Sequence, residues 1–393
     1  MSGLGLARGR VLALATAIVA ILAGGTWVAL TKASAQQGTA KAEASSHHSA
    51  AKHARQTTAQ PLTVVSVTPA EHAQTVNGGA PIRVEFSSPL ASNAPWPTLS
   101  PSVDGSWKRV NSRTIEFDPV QGFTELTHVK LTIPAGPSGV KSAKGGLLAT
   151  PVVQRFRTGA FSTLRLEQLL AQLGYLPLNW QPIPGDLPVP AADENSQLSA
   201  AYSPPTGTFL WQPGYPAKLQ SFWAEGQPSL ILTGAVMAFE SDHDLTMDGV
   251  AGRGVWNAVL SAVAKGQNNP HGYTYAVASQ RAPETLTVWH NGKVILHTLA
   301  NTGIPAAPTT IGTAPVYLRY TFQIMKGTNP DGSKYADPVS WVSYFRSGEA
   351  VHYFPRGSYG FQQSLGCVEL PLAQAHFVWP YMTYGTLVTV TAP

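Results

Sequence analysis

The stretch VHYFPRGSYGFQQSLGCVELP, residues 351–371, contains the single cysteine of this 393-residue chain. Cys367 directly follows a glycine and stands fifteen residues after His352. The thiolate is the reactive form of cysteine, and a thiol near neutral pH needs an adjacent base or a positive potential to reach it. The stretch therefore allows two interpretations: a nucleophilic Cys367 with His352 as its base, or a small buried side chain that happens to contain sulfur.

The residues around the cysteine favour the interpretation that Cys367 is a nucleophile. Ser364, Leu365, Gly366 and Cys367 are predicted to lead from a strand into a loop, where Gly366 lets the backbone approach a substrate closely. Consecutive backbone N–H groups in such a loop can stabilise an oxyanion. The segment EAVHYF is predicted to be a strand, which would hold the His352 ring rigidly. The sequence alone does not show which of five histidines contacts Cys367: His271, His290, His297, His352 or His376.

The segment around this stretch, residues 270–393, is predicted to be a β-rich domain. TLTVWHNGKVILHTLANTG predicts a hairpin whose two strands are joined by Asn291-Gly292. Further strands are predicted at VYLRYTFQIM, PVSWVSYFR, EAVHYF and TLVTVTAP. One short helix is predicted, in LPLAQAHFVWPYM directly after the cysteine.

Residues 162–265 have helical spacing. In STLRLEQLLAQLGYLP the leucines recur on one face, with Ser162 as a candidate N-cap and Gly174 as a stop. TGAVMAFESDHDLTMDGVAGRGVWNAVLSAVA predicts two more helices joined by a DG turn, and Val250 is among the expected core residues. This pattern resembles the three-helix peptidoglycan-binding domain; the alternative is a helical core without a ligand. The Pro-rich insertion 177–216 is a lid, an interdomain contact or a loop.

The acidic cluster ESDHDLTMDG within this segment does not have the oxygen register or the distal bidentate glutamate of a calcium loop. We therefore expect a solvated turn there.

Residues 61–159 alternate apolar and polar side chains in LTVVSVTP, PIRVEFSSPL, TIEFDP and VKLTIPAG, with turns between them. Short strands at this spacing predict a β-sandwich. The segment resembles the bacterial immunoglobulin-like domains of surface proteins. Such a module would bind the wall or act as a spacer, or it would be purely structural.

The N-terminus predicts export. Arg8 and Arg10 precede twenty uncharged residues, and ASA at 33–35 fits a cleavage site, so residues 1–35 form a signal peptide or a membrane anchor. Residues 36–60 are predicted to be a flexible linker, whose histidines, together with His72, are not expected to hold a metal. The protein would be anchored on the extracytoplasmic face of the inner membrane or secreted to the wall or periplasm. A net charge of +5 without a basic run suits an anionic partner and argues against nucleic acid.

The cysteine segment resembles the catalytic domain of L,D-transpeptidases. A strand histidine precedes SLGCV at 364–368, with a gap of eleven residues that is slightly short for the family. NTGIPAAPTTIG matches a family turn with Thr310 at a position where proline is usual, and SWVSYFRSGEAVHY matches the strand pair leading to the histidine. In total the resemblance covers about 275–391.

The resemblance implies the function and the site. Cys367 would be the nucleophile, His352 the general base and the Tyr353 carbonyl the group that orients the ring. The backbone at 365–367 would stabilise the oxyanion, and Ser364 would shape the loop. The reaction would join peptidoglycan stem peptides by 3→3 cross-links through a cysteine acyl-enzyme, with no metal or organic cofactor.

Two residues depart from the family pattern. Glu369 stands where arginine or asparagine is usual, so Arg356 or Lys334 is a candidate replacement cation for substrate binding. Tyr353 replaces a small residue and is expected to narrow the cleft. Two alternatives stay open. If water outcompetes the acceptor amine, the site would be a carboxypeptidase or endopeptidase acting on stem peptides. If the site has decayed, with Glu369 and the short gap as symptoms, the chain would be a scaffold that binds the wall. A papain-like protease is disfavoured, because there the cysteine precedes the histidine.

The whole sequence thus predicts a multidomain, mainly β protein. Its parts are an Ig-like β-sandwich, a three-helix peptidoglycan-binding domain and a C-terminal β-rich catalytic domain. The partners are peptidoglycan stem peptides and glycan, and the inner membrane through the N-terminal segment. Nothing in the sequence indicates oligomerisation.

Overall fold

The computed structural model describes residues 59–120, 122–184, 189–190 and 193–393. The predicted signal peptide or anchor at 1–35 and all but the end of the predicted linker at 36–60 lie outside these residues. Among the described residues, no helix combines the length and the apolar character needed to cross a bilayer.

The N-terminal part is a two-sheet β-sandwich, in agreement with the alternation in the sequence. One sheet has the order β1-β2-β5-β4 and the other the order β3-β6-β7. Strand β2 shows how the alternation produces a buried face and an exposed face. Its Ile82, Val84 and Phe86 are buried, and the two residues between them are exposed. The strands are β1 Val64–Thr68, β2 Ile82–Phe86, β3 Thr98–Ser100, β4 Gly105–Arg109, β5 Thr114–Pro119, β6 His128–Ile133 and β7 Val152–Arg157.

The middle part contains the expected helices and a hairpin. Its elements are α1 Thr163–Gln172, β8 Leu178–Pro182, α2 Glu194–Tyr202, β9 Gly207–Trp211, α3 Ala217–Gln220, α4 Leu230–Asp242 and α5 Arg253–Lys265. Helix α1 starts after Ser162, and Gly174, with φ +80°, follows its C-cap residue. Helices α1, α4 and α5 pack in one apolar cluster.

That cluster is not the core of a separate three-helix domain. It includes Tyr273, Tyr275 and Leu387, which belong to the C-terminal part. Helix α4 approaches that part so closely that a Cβ on Gly234 would lie 2.5 Å from the Gly385 carbonyl oxygen. The helices therefore form a layer against the C-terminal sheet, which the helical spacing in the sequence could not reveal.

The insertion 177–216 makes an interdomain contact. It folds into the β8–β9 hairpin and helix α2. On α2, the Tyr202 hydroxyl donates to the Phe123 carbonyl at 2.9 Å. Leu198 on the same helix packs so closely against Gly122 that a side chain at position 122 would collide with it. Of the three options for the insertion, the described residues thus support a contact with the sandwich.

One expectation for the α4–α5 connection is wrong, and the other holds for the turn but not for the helix before it. Val250 is 63% exposed and contributes nothing to the core. Asp244 and Asp248 in the acidic turn are exposed, as expected. Glu240, in the last turns of α4, is instead fully buried and accepts the Gly249 N–H at 2.9 Å. The DG pattern predicts a turn, but it does not show which of the neighbouring side chains are buried.

The C-terminal part consists of two sheets and one helix. The five-stranded sheet has the order β12-β11-β10-β18-β13 and the four-stranded sheet the order β14-β15-β16-β17. Its elements are β10 Thr274–Ser279, β11 Thr285–His290, β12 Lys293–Leu299, β13 Gly312–Pro315, β14 Leu318–Thr328, β15 Lys334–Arg346, β16 Glu349–Tyr353, β17 Val368–Leu370, α6 Leu372–Val378 and β18 Leu387–Thr391. The predicted β11–β12 hairpin turns at Asn291 and Gly292, which both have positive φ.

The four-stranded sheet positions the cysteine. Strands β16 and β17 are parallel, with Val351 opposite Val368 and His352 opposite Glu369. One face of this pair, with Val351 and Val368, packs into the apolar cluster beneath helix α6. The other face is therefore the one that carries His352, Cys367 and Glu369.

Candidate active site

Cys367 and His352 line one cavity of about 250 Å³ in the C-terminal part. Cys367 lies at the end of a loop that leads into β17, so the predicted order of strand followed by loop is reversed. The cysteine is 9% exposed and His352 is 2% exposed. The other walls come from the β14–β15 hairpin, the turn between β15 and β16, the segment between β16 and β17, and β17 itself. Their lining residues are Met325, Asn329, Tyr335, Asp337, Val339, Gly348, Phe354, Arg356, Gln363, Leu365 and Glu369.

His352 is held in one orientation and one tautomer. Its Nδ1 lies 2.9 Å from the carbonyl oxygen of Tyr353. A carbonyl only accepts hydrogen bonds, so Nδ1 carries the proton and Nε2 has the free lone pair. Burial lowers the pKa of His352. The ring is therefore neutral near pH 7 and able to accept a proton at Nε2.

The cysteine rests as a neutral thiol. Burial raises the pKa of Cys367 to about 12, and the charges of Glu369 and Glu349 act in the same direction, against a hydrogen bond from the Ala350 amide. The Sγ atom lies 3.7 Å from the Gly348 carbonyl oxygen. The site at rest therefore holds a neutral thiol and a neutral imidazole that line the same cavity.

Ser364 shapes the loop before the cysteine. Its hydroxyl donates to the Cys367 carbonyl at 2.6 Å and accepts the Gly366 N–H at 3.2 Å. Gly366 has φ +110°, a conformation that favours glycine. The Gly366 amide is thus engaged inside the loop and does not point to a substrate, which corrects its place in the predicted oxyanion group.

Two other amides of the loop remain for an anion. The N–H groups of Leu365 and Cys367 have no hydrogen-bond acceptor in the part of the chain that the structure describes. Leu365 and Cys367 both line the cavity. Backbone donors that a loop holds in place can in general stabilise a developing oxyanion without reorganising.

The two departures from the family pattern have structural explanations. Glu369, which is buried, accepts Arg356 Nε at 2.8 Å on one oxygen and Arg356 Nη2 at 2.8 Å on the other. Arg356 also donates to the Gln363 carbonyl at 3.0 Å. The arginine is therefore committed to Glu369 and is not a lone cation for a substrate. Lys334 lies outside the cavity lining and donates to Thr328.

Tyr353 does not narrow the cleft as expected. Its side chain packs against the apolar cluster under α6, on the opposite face of β16 from His352. The next residue, Phe354, lines the cavity instead. Side chains alternate along a strand, so the position directly after the histidine points away from the site.

The sequence interpretation missed most of the far wall. Asn301 supports the site, because its Oδ1 accepts the Gly360 N–H at 3.0 Å while its backbone pairs with Glu369. Tyr335, Asp337 and Val339 line the cavity at every second position of β15. The predicted strand begins only at Pro338, so the sequence did not reveal that Tyr335 and Asp337 belong to this strand or which face it presents to the cavity.

The remaining histidines of this part are all described and lie elsewhere. His290 contacts Thr274, His297 contacts Thr287, and the His376 ring packs at a tilt against Trp341. His271 pairs with Asp242 at 3.3 Å. Among the described residues, no group of three or more histidines, cysteines and carboxylates is arranged to hold a metal.

Comparisons with known protein families find two matches. Residues 273–390 match the model of the YkuD family, the L,D-transpeptidase catalytic domain, and residues 58–158 match that of the bacterial Ig-like domain. No family match covers the helical segment as a peptidoglycan-binding domain. A search of curated proteins finds no match.

Several solved structures are similar to this chain. An L,D-transpeptidase from Mycobacterium smegmatis is 16% identical, with 85% of this chain and 100% of that chain covered, at a TM-score of 0.29. L,D-transpeptidase 3 from Mycobacterium tuberculosis is 15% identical over 84% of this chain and 98% of that chain, at 0.28. The catalytic domain of the E. faecium L,D-transpeptidase is 27% identical over 30% and 96%, at 0.28.

Proposed function

Since the chain carries an L,D-transpeptidase catalytic domain and a bacterial Ig-like domain, we propose that it cross-links peptidoglycan stem peptides through an acyl-thioester on Cys367. The observation that carries the proposal is the placement of Cys367 and His352. His352 lies on β16 and Cys367 directly precedes β17, the parallel neighbour of β16, and both residues line one cavity. The histidine is fixed in the tautomer that leaves Nε2 able to take a proton.

The acylation half-reaction follows from the neutral resting pair. As Sγ attacks the carbonyl carbon of the third residue of a tetrapeptide stem, its proton passes to Nε2 of His352. The N–H groups of Leu365 and Cys367 bind the resulting oxyanion. The intermediate collapses, the peptide bond breaks, and the terminal D-alanine leaves as an amine that takes the proton back from His352.

The transfer half-reaction restores the thiol. The amine of a second stem attacks the thioester carbonyl, loses a proton to His352 and forms the new amide of a 3→3 link. The carbon–sulfur bond breaks, and Sγ regains its proton from His352. Water in place of the amine would make the same site an L,D-carboxypeptidase or endopeptidase, so the two activities differ only in which nucleophile reaches the acyl-enzyme.

The other parts fit a wall enzyme. The Ig-like sandwich would hold the catalytic part away from its attachment point, and the helical layer would bind glycan. The N-terminal segment would anchor the chain in the membrane or be removed after export. An intact Cys–His pair argues against a decayed scaffold.

The test is product analysis by tandem mass spectrometry after the full-length protein is incubated with a tetrapeptide stem as both donor and acceptor. Wild type is expected to release D-alanine and form 3→3 dimers. His352→Ala should lower the rate at least about 100-fold, the usual size of a general-base contribution. His297→Ala, an exposed histidine outside the cavity, is the matched control and should behave as wild type. Free tripeptide without dimers would favour the hydrolase, and equal rates for both variants would exclude His352 as the base.

A further inference from the structure

The catalytic cavity has one charge without a partner. Its charged side chains are Asp337, Arg356 and Glu369. The last two neutralise each other through two hydrogen bonds of 2.8 Å, and His352 is neutral. The Asp337 side chain makes no hydrogen bond and no ion pair with any described residue; its charge acts only at longer range on Arg356, where it helps to raise the pKa. The cavity therefore has a net negative charge that is centred on Asp337.

Asp337 is placed to meet a substrate. It lies on β15 opposite Met325 of β14, in the long hairpin 318–346. Tyr335, Asp337 and Val339 line the cavity, whereas Ala336 and Pro338 between them are exposed. Strand alternation thus directs the carboxylate into the space that Cys367 and His352 line from the neighbouring strands.

We infer that Asp337 binds a primary ammonium group at the end of a stem-peptide side chain, and that it thereby selects substrates with a free amine. This inference rests on the proposed function. A carboxylate only accepts hydrogen bonds, and its strongest partners are cationic donors. The uncompensated negative charge of the cavity attracts such a group and repels an anionic one.

Two sources can supply the ammonium group. It is the amine of the acceptor stem before that amine loses a proton and attacks, or it is the side-chain amine of the donor stem's third residue. Both share the same chemistry at Asp337. They differ in which half-reaction depends on the carboxylate, so kinetics can separate them.

The experiment compares the full-length wild type with Asp337→Asn and with Asp331→Asn. Asp331 lies in the turn of the same hairpin, outside the cavity lining, and its Oδ1 accepts both Ser333 N and Ser333 Oγ. An asparagine keeps that acceptor, so Asp331→Asn removes the same charge from the same hairpin and is the matched control. Steady-state KM values are measured separately for donor and acceptor stems, each with its side-chain amine free, and for a donor whose amine is acetylated. Acylation by a penem with an uncharged side chain checks that Cys367 remains intact.

Asp337→Asn is expected to acylate with the penem at the control rate and to raise KM for one free-amine stem about tenfold, the worth of one charge-assisted hydrogen bond. An effect on the acceptor KM alone assigns the ammonium to the acceptor. A raised KM for the free-amine donor that is absent with the acetylated donor assigns the ammonium group to the donor. KM values within about twofold of Asp331→Asn for both stems, with wild type active, overturn this inference alone. A wild type that forms neither acyl-enzyme nor dimer overturns the proposed function together with it.

Discussion

Replacing Arg356 with methionine should loosen the loop that carries the cysteine. The change removes both 2.8 Å hydrogen bonds to Glu369 and the 3.0 Å hydrogen bond to the Gln363 carbonyl. Glu369 is only 5% exposed in its side chain. It would keep one long contact, 3.5 Å from Asn301 Nδ2. A buried carboxylate that loses its cation is strongly destabilising, because its charge remains without compensation.

The expected cost is about 2–3 kcal/mol, below the full value for a buried pair because Arg356 itself is 28% exposed. This corresponds to a local opening constant raised about 30- to 150-fold. Hydrogen exchange of the peptide 349–371, measured by mass spectrometry, reports that opening directly.

The control is Arg356→Met combined with Glu369→Gln, which leaves no unpaired charge and should recover most of the protection. Two results would refute the reasoning. In the first, the peptide 349–371 of Arg356→Met is as protected from hydrogen exchange as that of wild type. In the second, the double variant is as unprotected as the single variant. The first result would mean that the ion pair contributes nothing to the loop. The second would mean that the loss comes from packing of the arginine stem on Phe354, whose ring centroid lies 4.6 Å from Cζ.

Other consequences of the structure are testable in the same way. Because burial raises the pKa of Cys367 to about 12, its alkylation by iodoacetamide should be slow at neutral pH and rise about tenfold per pH unit up to about pH 10; a plateau near pH 9, as for an exposed thiol, would contradict the buried neutral state. Burial also raises the pKa of Glu240 to about 7. A raised carboxyl pKa means that folding favours the protonated form, so stability falls as pH rises through 7. Glu240→Gln should therefore have a higher melting temperature than wild type at alkaline pH, and the difference should disappear in acid. A difference in melting temperature that does not depend on pH would contradict this prediction.

The features that the sequence predicted well are those that depend on local pattern. The alternation of β2 placed Ile82, Val84 and Phe86 in the sandwich core, and Asn291-Gly292 marked the hairpin turn because both residues must take positive φ. The spacing of the leucines placed α1 between Ser162 and Gly174. The prediction that the Tyr353 carbonyl orients His352 agrees with the 2.9 Å contact at Nδ1.

Features that depend on tertiary packing were out of reach. The sequence treated the helices as a separate domain, whereas Tyr273, Tyr275 and Leu387 complete their core. It offered Arg356 as a cation for the substrate because it could not show that the chain brings Arg356 onto Glu369, thirteen residues away. A charged residue near a motif is visible in a sequence, but its partner is not.

The far wall of the cavity shows the same limit. Asp337 belongs to a strand that was predicted only from PVSWVSYFR onwards, and the structure extends β15 back to Lys334. The length of the β14–β15 hairpin brings Asp337 over the site. No local signal distinguishes such a carboxylate from an exposed one.

The central claim is that Cys367 is the nucleophile, and intact-protein mass spectrometry of the full-length chain after exposure to a carbapenem tests it most directly. The account predicts a single adduct of the carbapenem's mass on wild type and none on Cys367→Ala. Wild type that remains unmodified while folded, or an adduct that survives in Cys367→Ala, would contradict it.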